Sequence, residues 1–161
     1  MIKKELQAKI NDQINFEYES ALLYKQMSIQ MDTIGWAGFA QWFHTQYHEE
    51  IAHAEDMVRY MLSRGETPVL KDIKIQKPKT ADVIAYFEAA YKHECTVSDR
   101  IDDIVTEAIT AKDYATENFF RKYVDEQVEE EETVAGIVDR LKLANGTAGF
   151  VVIDSQLGNR K

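Results

Sequence analysis

The sequence predicts an all-α four-helix bundle in which a long crossover joins the second and third helices. Apolar residues recur at steps of three and four along four long segments, the pattern of helices that each bury one face. The only two prolines fall in one long break between the second and third segments. With 161 residues, the chain is long enough for a single domain with a substantial core.

The connections between the helices set the expected topology. The helices are expected at about 5–32, 36–64, 80–110 and 113–143. Short connections at 32–35 and around Lys112 make the first helix antiparallel to the second and the third antiparallel to the fourth. The 15 residues from Gly65 to Lys79 reach roughly 50 Å when extended, and a helix of about 28 residues is roughly 42 Å long. The crossover can therefore run along the whole bundle, which makes the second and third helices parallel.

Two boundary segments carry further local signals. Thr80-Ala81-Asp82 offers an N-cap from which the third helix can start. The tail after Gly146 contains Phe150-Val151-Val152-Ile153, whose intrinsic propensity favours a strand.

Each of the four apolar stripes is interrupted by polar residues near the middle of its helix. The interrupting residues are Glu17, Glu50, His53, Glu94, Gln127 and Glu130. Helices packed over a common length share their mid-height layer whichever way each one runs, so we expect these side chains to meet. Carboxylates crowded into an apolar core repel one another and cost several kcal/mol each, by order of magnitude, unless they are protonated or neutralised. Two divalent cations would cancel four negative charges, and the pattern therefore predicts a metal centre.

The residue types at mid-height also indicate which metal would bind. Glu50 and His53 lie one turn apart and can present a carboxylate and an imidazole to one ion, as in di-iron carboxylate bundles. Such a set suits ferrous iron or manganese better than copper or a structural zinc, and the residues do not choose between those two metals. Taken singly, Glu17 and Glu94 also fit hydrogen-bonded or protonated core carboxyls. If the whole set has only that role, the protein is a structural or signalling bundle.

Residues beside the stripes allow more than one interpretation. Tyr24, one heptad beyond Glu17, fits a core aromatic residue or a redox group. A group of acids could hold a further cation or form a solvated acidic face. The group consists of Glu49, Glu126, Glu129 and Glu130.

Two other sets of residues lie off the stripes. His44 and His48 are one turn apart, and their position favours a solvated or interface pair. A set of large apolar residues is consistent with a second buried surface on each subunit. This set includes Leu23, Trp42, Tyr60 and Tyr86.

The composition argues against several classes of partner. A net charge of −9 does not suit a surface for nucleic acid or anionic lipid, which needs clustered lysine and arginine. No run of about 18 apolar residues could span a bilayer, and no apolar signal region follows the first residues, so we expect a soluble cytoplasmic protein. The single cysteine, Cys95, excludes an intrachain disulfide and a cysteine-built metal cluster.

Five stretches of sequence together form a specific combination. They are Asn15-Phe16-Glu17-Tyr18-Glu19, Tyr24, His48-Glu49-Glu50-Ile51-Ala52-His53-Ala54-Glu55, Glu94 and Asp125-Glu126-Gln127-Val128-Glu129-Glu130. This combination resembles the ferritin family, and specifically its haem-free bacterial members, over nearly the whole chain. By that resemblance, Glu17, Glu50 and His53 match positions that hold one iron. Glu50, Glu94 and Glu130 match positions that hold a second.

The resemblance also implies roles for the remaining residues. Gln127 matches a nearby polar partner, and Tyr24 matches a residue that assists near the centre. The acids implied to form a third iron site are Glu49, Glu126, Glu129 and Glu130. Haem is not expected, because the related bacterioferritins carry a haem-binding methionine where this chain has Ile51.

The activity implied by the resemblance is iron storage and detoxification. A ferritin of this kind oxidises Fe(II) with dioxygen or hydrogen peroxide and stores the ferric mineral inside a hollow shell of twenty-four subunits. The resemblance further implies a short fifth helix at about 147–157, in conflict with the strand propensity of that tail. A di-iron oxidase or peroxidase that never stores iron stays an alternative.

Overall fold

The computed structural model describes residues 1–77, 81–144 and 146–160, and it is helical with no strand over those ranges. The helices are α1 Lys4–Thr33, α2 Ala37–Ser63, α3 Val83–Ala111, α4 Tyr114–Ala144 and α5 Thr147–Leu157. Each begins and ends within about three residues of the range expected from the sequence. The all-α fold class is therefore confirmed. Among the described helices, none is long and apolar enough to cross a membrane.

Contacts between the helices establish their directions. α1 runs antiparallel to both α2 and α3, because later residues of α1 contact earlier residues of each partner. The hydrogen-bonded pairs that show this are Tyr18–Glu55 and Ser28–Ala40 with α2, and Lys9–Asp103 and Ser20–His93 with α3. Since both are antiparallel to α1, α2 and α3 are parallel to each other, and the expected crossover topology is confirmed.

The described part of the crossover runs as an extended strap along α1. The main-chain nitrogen of Val69 donates to the side chain of Asn11, and that of Lys71 donates to the side chain of Asn15. Both asparagine amides in turn donate to the carbonyl oxygen of Val69. These four bonds satisfy main-chain groups that no neighbouring strand pairs with.

The third helix begins at the residue expected to cap it. The Asp82 carboxylate accepts a hydrogen bond from the main-chain nitrogen of Ile84 at 3.1 Å. Thr80, the other capping residue expected from the sequence, lies outside the described residues, as does Pro78.

The core consists of two apolar clusters at opposite ends of the bundle. One end includes Met31, Phe39 and Phe87, and the other includes Leu6 and Ile101. Between them lies the layer at the middle of the helices, where buried polar residues replace apolar ones.

Two residues expected on a second buried surface belong to the core of the chain itself. Trp42 and Tyr86 are each 1% exposed and pack in the cluster that surrounds Phe43 and Phe87. For Trp42 and Tyr86, the second buried surface expected from the sequence is therefore part of the core of the chain itself. The buried face of α2 is wider than a single stripe because α5 covers an additional side of it.

The tail forms helix α5. The strand expected from the propensity of Phe150 to Ile153 is therefore wrong, and the helix implied by the family resemblance is confirmed. Tertiary packing overrides propensity here, since Ile153 is buried and Phe150 packs edge-on against Trp36. The Asp154 carboxylate accepts a hydrogen bond from the main-chain nitrogen of Phe39 at 2.8 Å, which caps the start of α2. α5 is thereby fixed to the bundle.

Candidate metal centre

The mid-height layer contains the polar residues that interrupt the four apolar stripes. Glu17, Glu50, Glu94 and Gln127 are buried, each with at most 5% of its surface exposed. His53 and Glu130 are partly buried beside them. They lie at one height because each of the helices α1 to α4 is interrupted near its own midpoint.

Glu17, Glu50 and His53 form the tightest group of metal-ligating atoms among the described residues. Nδ1 of His53 lies 3.3 Å from Oε2 of Glu50 and 4.0 Å from Oε2 of Glu17, and the three ligand atoms lie within 4.8 Å of one another. A transition-metal ion sits about 2.0–2.2 Å from nitrogen and oxygen ligands, so two ligand atoms of one ion lie at most about 4.4 Å apart, and the 3.3 and 4.0 Å separations meet this limit. This group can hold one cation.

One oxygen of Glu17 marks a position where a cation would bind. Gln13 donates a hydrogen bond to Oε1 of Glu17 at 2.6 Å. The other oxygen, Oε2, is buried and accepts no hydrogen bond from the described residues unless it shares a proton with Glu50. A buried carboxylate oxygen without a partner is costly. This oxygen faces His53 and Glu50, which is where an ion would satisfy it.

Glu94 occupies the other side of the layer and has both oxygens engaged. The Tyr24 hydroxyl donates to Oε1, and the Gln127 amide donates to Oε2 at 3.1 Å and to the main-chain oxygen of Glu94 at 3.2 Å. Glu130 accepts a hydrogen bond from the Gln46 amide at 3.2 Å. The hydrogen bonds from Tyr24 and Gln127 fix the orientation of Glu94, and Gln46 does so for Glu130.

Burial and mutual repulsion perturb the acids of this layer. Burial, and then the charge of Glu50, raises the pKa of Glu17 well above its ordinary value, and burial with the charge of Glu94 does the same for Glu50. Burial also raises the pKa of Glu94. For Glu130, burial with the charges of Glu94 and Glu49 raises the pKa to about 7. Without cations, the layer therefore favours partial protonation.

The second nitrogen of His53 faces Glu126. Nε2 of His53 lies 3.5 Å from Oε1 of Glu126. Burial opposes the charged imidazole, but the contact with Glu126 and the charge of Glu17 outweigh it and raise the pKa of His53. A carboxylate at Nε2 keeps a proton there and leaves Nδ1 free for a metal.

The four acids implied to form a third iron site do not converge on one point. Glu49 accepts two hydrogen bonds from Nη2 of Arg160, at 3.1 and 2.9 Å. Glu126 contacts His53, Glu130 contacts Gln46, and Glu129 is exposed. The charge of Glu49 still contributes to the raised pKa of Glu130.

Sequence reasoning overlooked two residues that contact the acids. Gln46 lies four residues before Glu50 on α2, as Gln13 lies four residues before Glu17 on α1, and that spacing could have drawn attention to it. Arg160 is 111 residues from Glu49, and no local pattern links the two.

Comparisons with known proteins agree with this geometry. The family model described as the ferritin-like domain matches residues 7–144. The chain is 42% identical to a bacterial non-heme ferritin of Bacteroides fragilis (strain 638R), covering 99% of this chain and all of the relative. It is 33% identical to a bacterial non-heme ferritin of Escherichia coli O6:H1, covering 98% of this chain and 96% of that one.

Solved structures show the same similarity in three dimensions. An open pore ferritin from the archaeon Archaeoglobus fulgidus superposes with a TM-score of 0.96 at 36% identity, covering 100% of both chains. A ferritin from Chlorobium tepidum superposes with a TM-score of 0.89 at 32% identity, covering 97% of this chain and 95% of that one. In sequence and fold, this chain belongs to the ferritin family.

Proposed function

We propose that this protein stores iron by oxidising Fe(II) to Fe(III) at a di-iron centre within each subunit. The observation that supports this most directly is the unpartnered, buried Oε2 of Glu17, which faces His53 and Glu50. A structural bundle would gain nothing from such an oxygen, because it could be hydrogen-bonded or replaced by an apolar residue at lower cost.

The ligands divide into two groups that share one residue. Glu17, Glu50 and His53 bind one Fe(II), and Glu50, Glu94 and Glu130 bind the second. Glu50 therefore bridges the two ions. Carboxylate-rich ligation stabilises the more highly charged ferric product, which favours oxidation.

The reaction transfers one electron from each of two Fe(II) ions. Dioxygen accepts both electrons with two protons and becomes hydrogen peroxide, or hydrogen peroxide accepts them with two protons and becomes two water molecules. Tyr24 stays protonated and holds Glu94 in place, because burial and the charge of Glu94 raise the pKa of Tyr24 well above its ordinary value. Gln127 holds the other oxygen of the same carboxylate.

Storage requires an assembly, and we propose the hollow shell of twenty-four copies that the family resemblance implies. The ferric product then leaves the centre and accumulates as mineral inside the shell, in the cytoplasm. Glu49, Glu126, Glu129 and Glu130 would provide a further iron site once Glu49 separates from Arg160. The relatives' names, which call them non-heme ferritins, support iron without haem.

An anaerobic Fe(II) titration of size-selected protein, followed by dioxygen, tests this proposal. We expect about two ferrous ions per chain on a very large assembly, then oxidation and retention of ferric iron. The variant Glu50→Gln should lose this binding, whereas the exposed neighbour Glu129→Gln should keep two ions.

Three outcomes would contradict the proposal in different ways. Turnover on a small species that retains no iron would indicate a di-iron oxidase or peroxidase. Tighter binding of Mn(II) than of Fe(II) would indicate that manganese, not iron, is the substrate. A structural bundle would be indicated if the protein did not bind Fe(II) and if Glu50→Gln raised its stability without removing any activity.

A further inference from the structure

His44 and His48 form a pair of imidazoles on α2, outside the candidate metal centre. Their Nε2 atoms lie 3.1 Å apart, and their rings meet edge to face with centroids 4.6 Å apart. Both rings line a cavity of about 500 Å³, together with Gln41, Thr45, Glu49 and Ala52. His48 is exposed and His44 is partly buried, so solvent reaches the pair.

The separation of the two nitrogens matches that of two ligands on one ion. With metal–nitrogen bonds of about 2.0–2.1 Å, two ligand nitrogens are about 2.9 Å apart at a right angle and about 3.4 Å apart at a tetrahedral angle. The observed 3.1 Å lies between these values. We propose that His44 and His48 chelate a divalent cation that prefers imidazole, such as Cu²⁺, Ni²⁺ or Zn²⁺.

The hydrogen bonds of the pair must change before a cation can bind. The Lys25 ammonium lies 3.2 Å from Nδ1 of His44, and because an ammonium only donates, Nδ1 accepts. The proton of neutral His44 is therefore on Nε2, which lies 3.1 Å from Nε2 of His48. Binding moves the His44 proton to Nδ1 and displaces Lys25.

The groups around His44 and His48 include some that favour cation binding and one that opposes it. Burial, with help from Lys25 and His48, lowers the pKa of His44, so its imidazole is neutral near pH 7 and able to bind a metal. The Lys25 ammonium opposes a cation, and its removal should strengthen binding. Glu49 lines the same cavity, but Arg160 holds both of its oxygens. Water molecules would therefore complete the coordination.

This site differs chemically from the di-iron centre and does not depend on it. The centre offers several carboxylates and one imidazole, whereas this pair offers two imidazoles. Nitrogen ligands favour metals late in the first transition row, with Cu²⁺ bound most tightly, over Fe²⁺. The two sites should therefore differ in how strongly each prefers Cu²⁺, Ni²⁺ or Zn²⁺ over harder cations.

Electron paramagnetic resonance of Cu²⁺ added at one ion per chain to the assembled, iron-free protein tests the proposal. The chain contains four histidines, and the candidate metal centre includes one of them. We expect couplings to two imidazole nitrogens in the native protein and in His53→Asn. We expect their loss in His44→Asn and His48→Asn.

Titration calorimetry supplies the matching affinities. Mutations that only disturb the orientation of metal ligands cost about 10–100-fold, so loss of one imidazole should weaken Cu²⁺ binding at least roughly tenfold. Lys25→Met should strengthen binding several-fold while helix content, measured by circular dichroism, is unchanged. A two-nitrogen spectrum that persists in His48→Asn, or one that disappears in His53→Asn, would overturn the proposal. So would a native protein without such a spectrum.

Discussion

Replacing Glu130 by glutamine should stabilise the metal-free protein above neutral pH and leave it nearly unchanged in acid. Burial, with the charges of Glu94 and Glu49, raises the pKa of Glu130 from its ordinary 4.5 to about 7 in the folded chain. The unfolded chain ionises this carboxyl at its ordinary pKa. Stability therefore falls as the pH rises from about 4.5 to about 7, because the folded state binds the proton more tightly there. Glutamine has nearly the same shape as glutamate and no charge, so the substitution removes the cost of ionising this buried carboxyl.

The magnitude follows from the shift in pKa. A rise from 4.5 to about 7 costs about 3 kcal/mol at about pH 8 and less than about 1 kcal/mol at about pH 5. Glu130 is only partly buried, so water screens part of this cost and about 3 kcal/mol is an upper bound.

Guanidinium unfolding of chelator-treated protein at both pH values measures this difference. The exposed neighbour Glu129→Gln is the matched control and should change the free energy of unfolding little at either pH. An equal gain for Glu130→Gln at both pH values would refute the electrostatic reasoning. So would a gain in the control as large as that of Glu130→Gln.

Three further predictions concern other parts of the molecule. A Cβ added at Gly38 would lie 1.8 Å from a main-chain oxygen of α5, so Gly38→Ala should displace α5 and speed the hydrogen exchange of its amides. Gly136 has open space around it, so the control Gly136→Ala should instead stabilise the fold by about 1 kcal/mol. Arg160→Gln should free Glu49 and strengthen binding of a cation beyond the first two per chain, measured by calorimetry. Glu126→Gln should weaken Fe(II) binding by roughly 10–100-fold, because it removes the carboxylate that orients the ligating imidazole.

Periodicity was sufficient to predict the bundle and which residues share its middle layer. A helix repeats its buried face every three or four residues, so the position of Glu17, Glu50 or Glu94 along its own stripe also gives its height. The length of the crossover then determined that α2 and α3 are parallel. These inferences needed only local spacing and chain length.

Contacts between distant segments could not be predicted in this way. The pairing of Arg160 with Glu49 and the cap that Asp154 provides at Phe39 depend on how α5 docks, and they join residues 111 and 115 positions apart. The strand propensity of the tail was overridden by the same docking. Trp42 lies beside the α2 stripe rather than on it, and its burial follows from α5 and Arg160 covering that side.

Anomalous X-ray scattering at the iron edge, on crystals loaded with Fe(II) without oxygen, tests the central claim most directly. The account predicts two iron peaks per chain, one within bonding distance of Glu17, Glu50 and His53 and one within bonding distance of Glu50, Glu94 and Glu130. Iron found only at surface acids, with the buried layer empty and Oε2 of Glu17 still unpartnered, would contradict it.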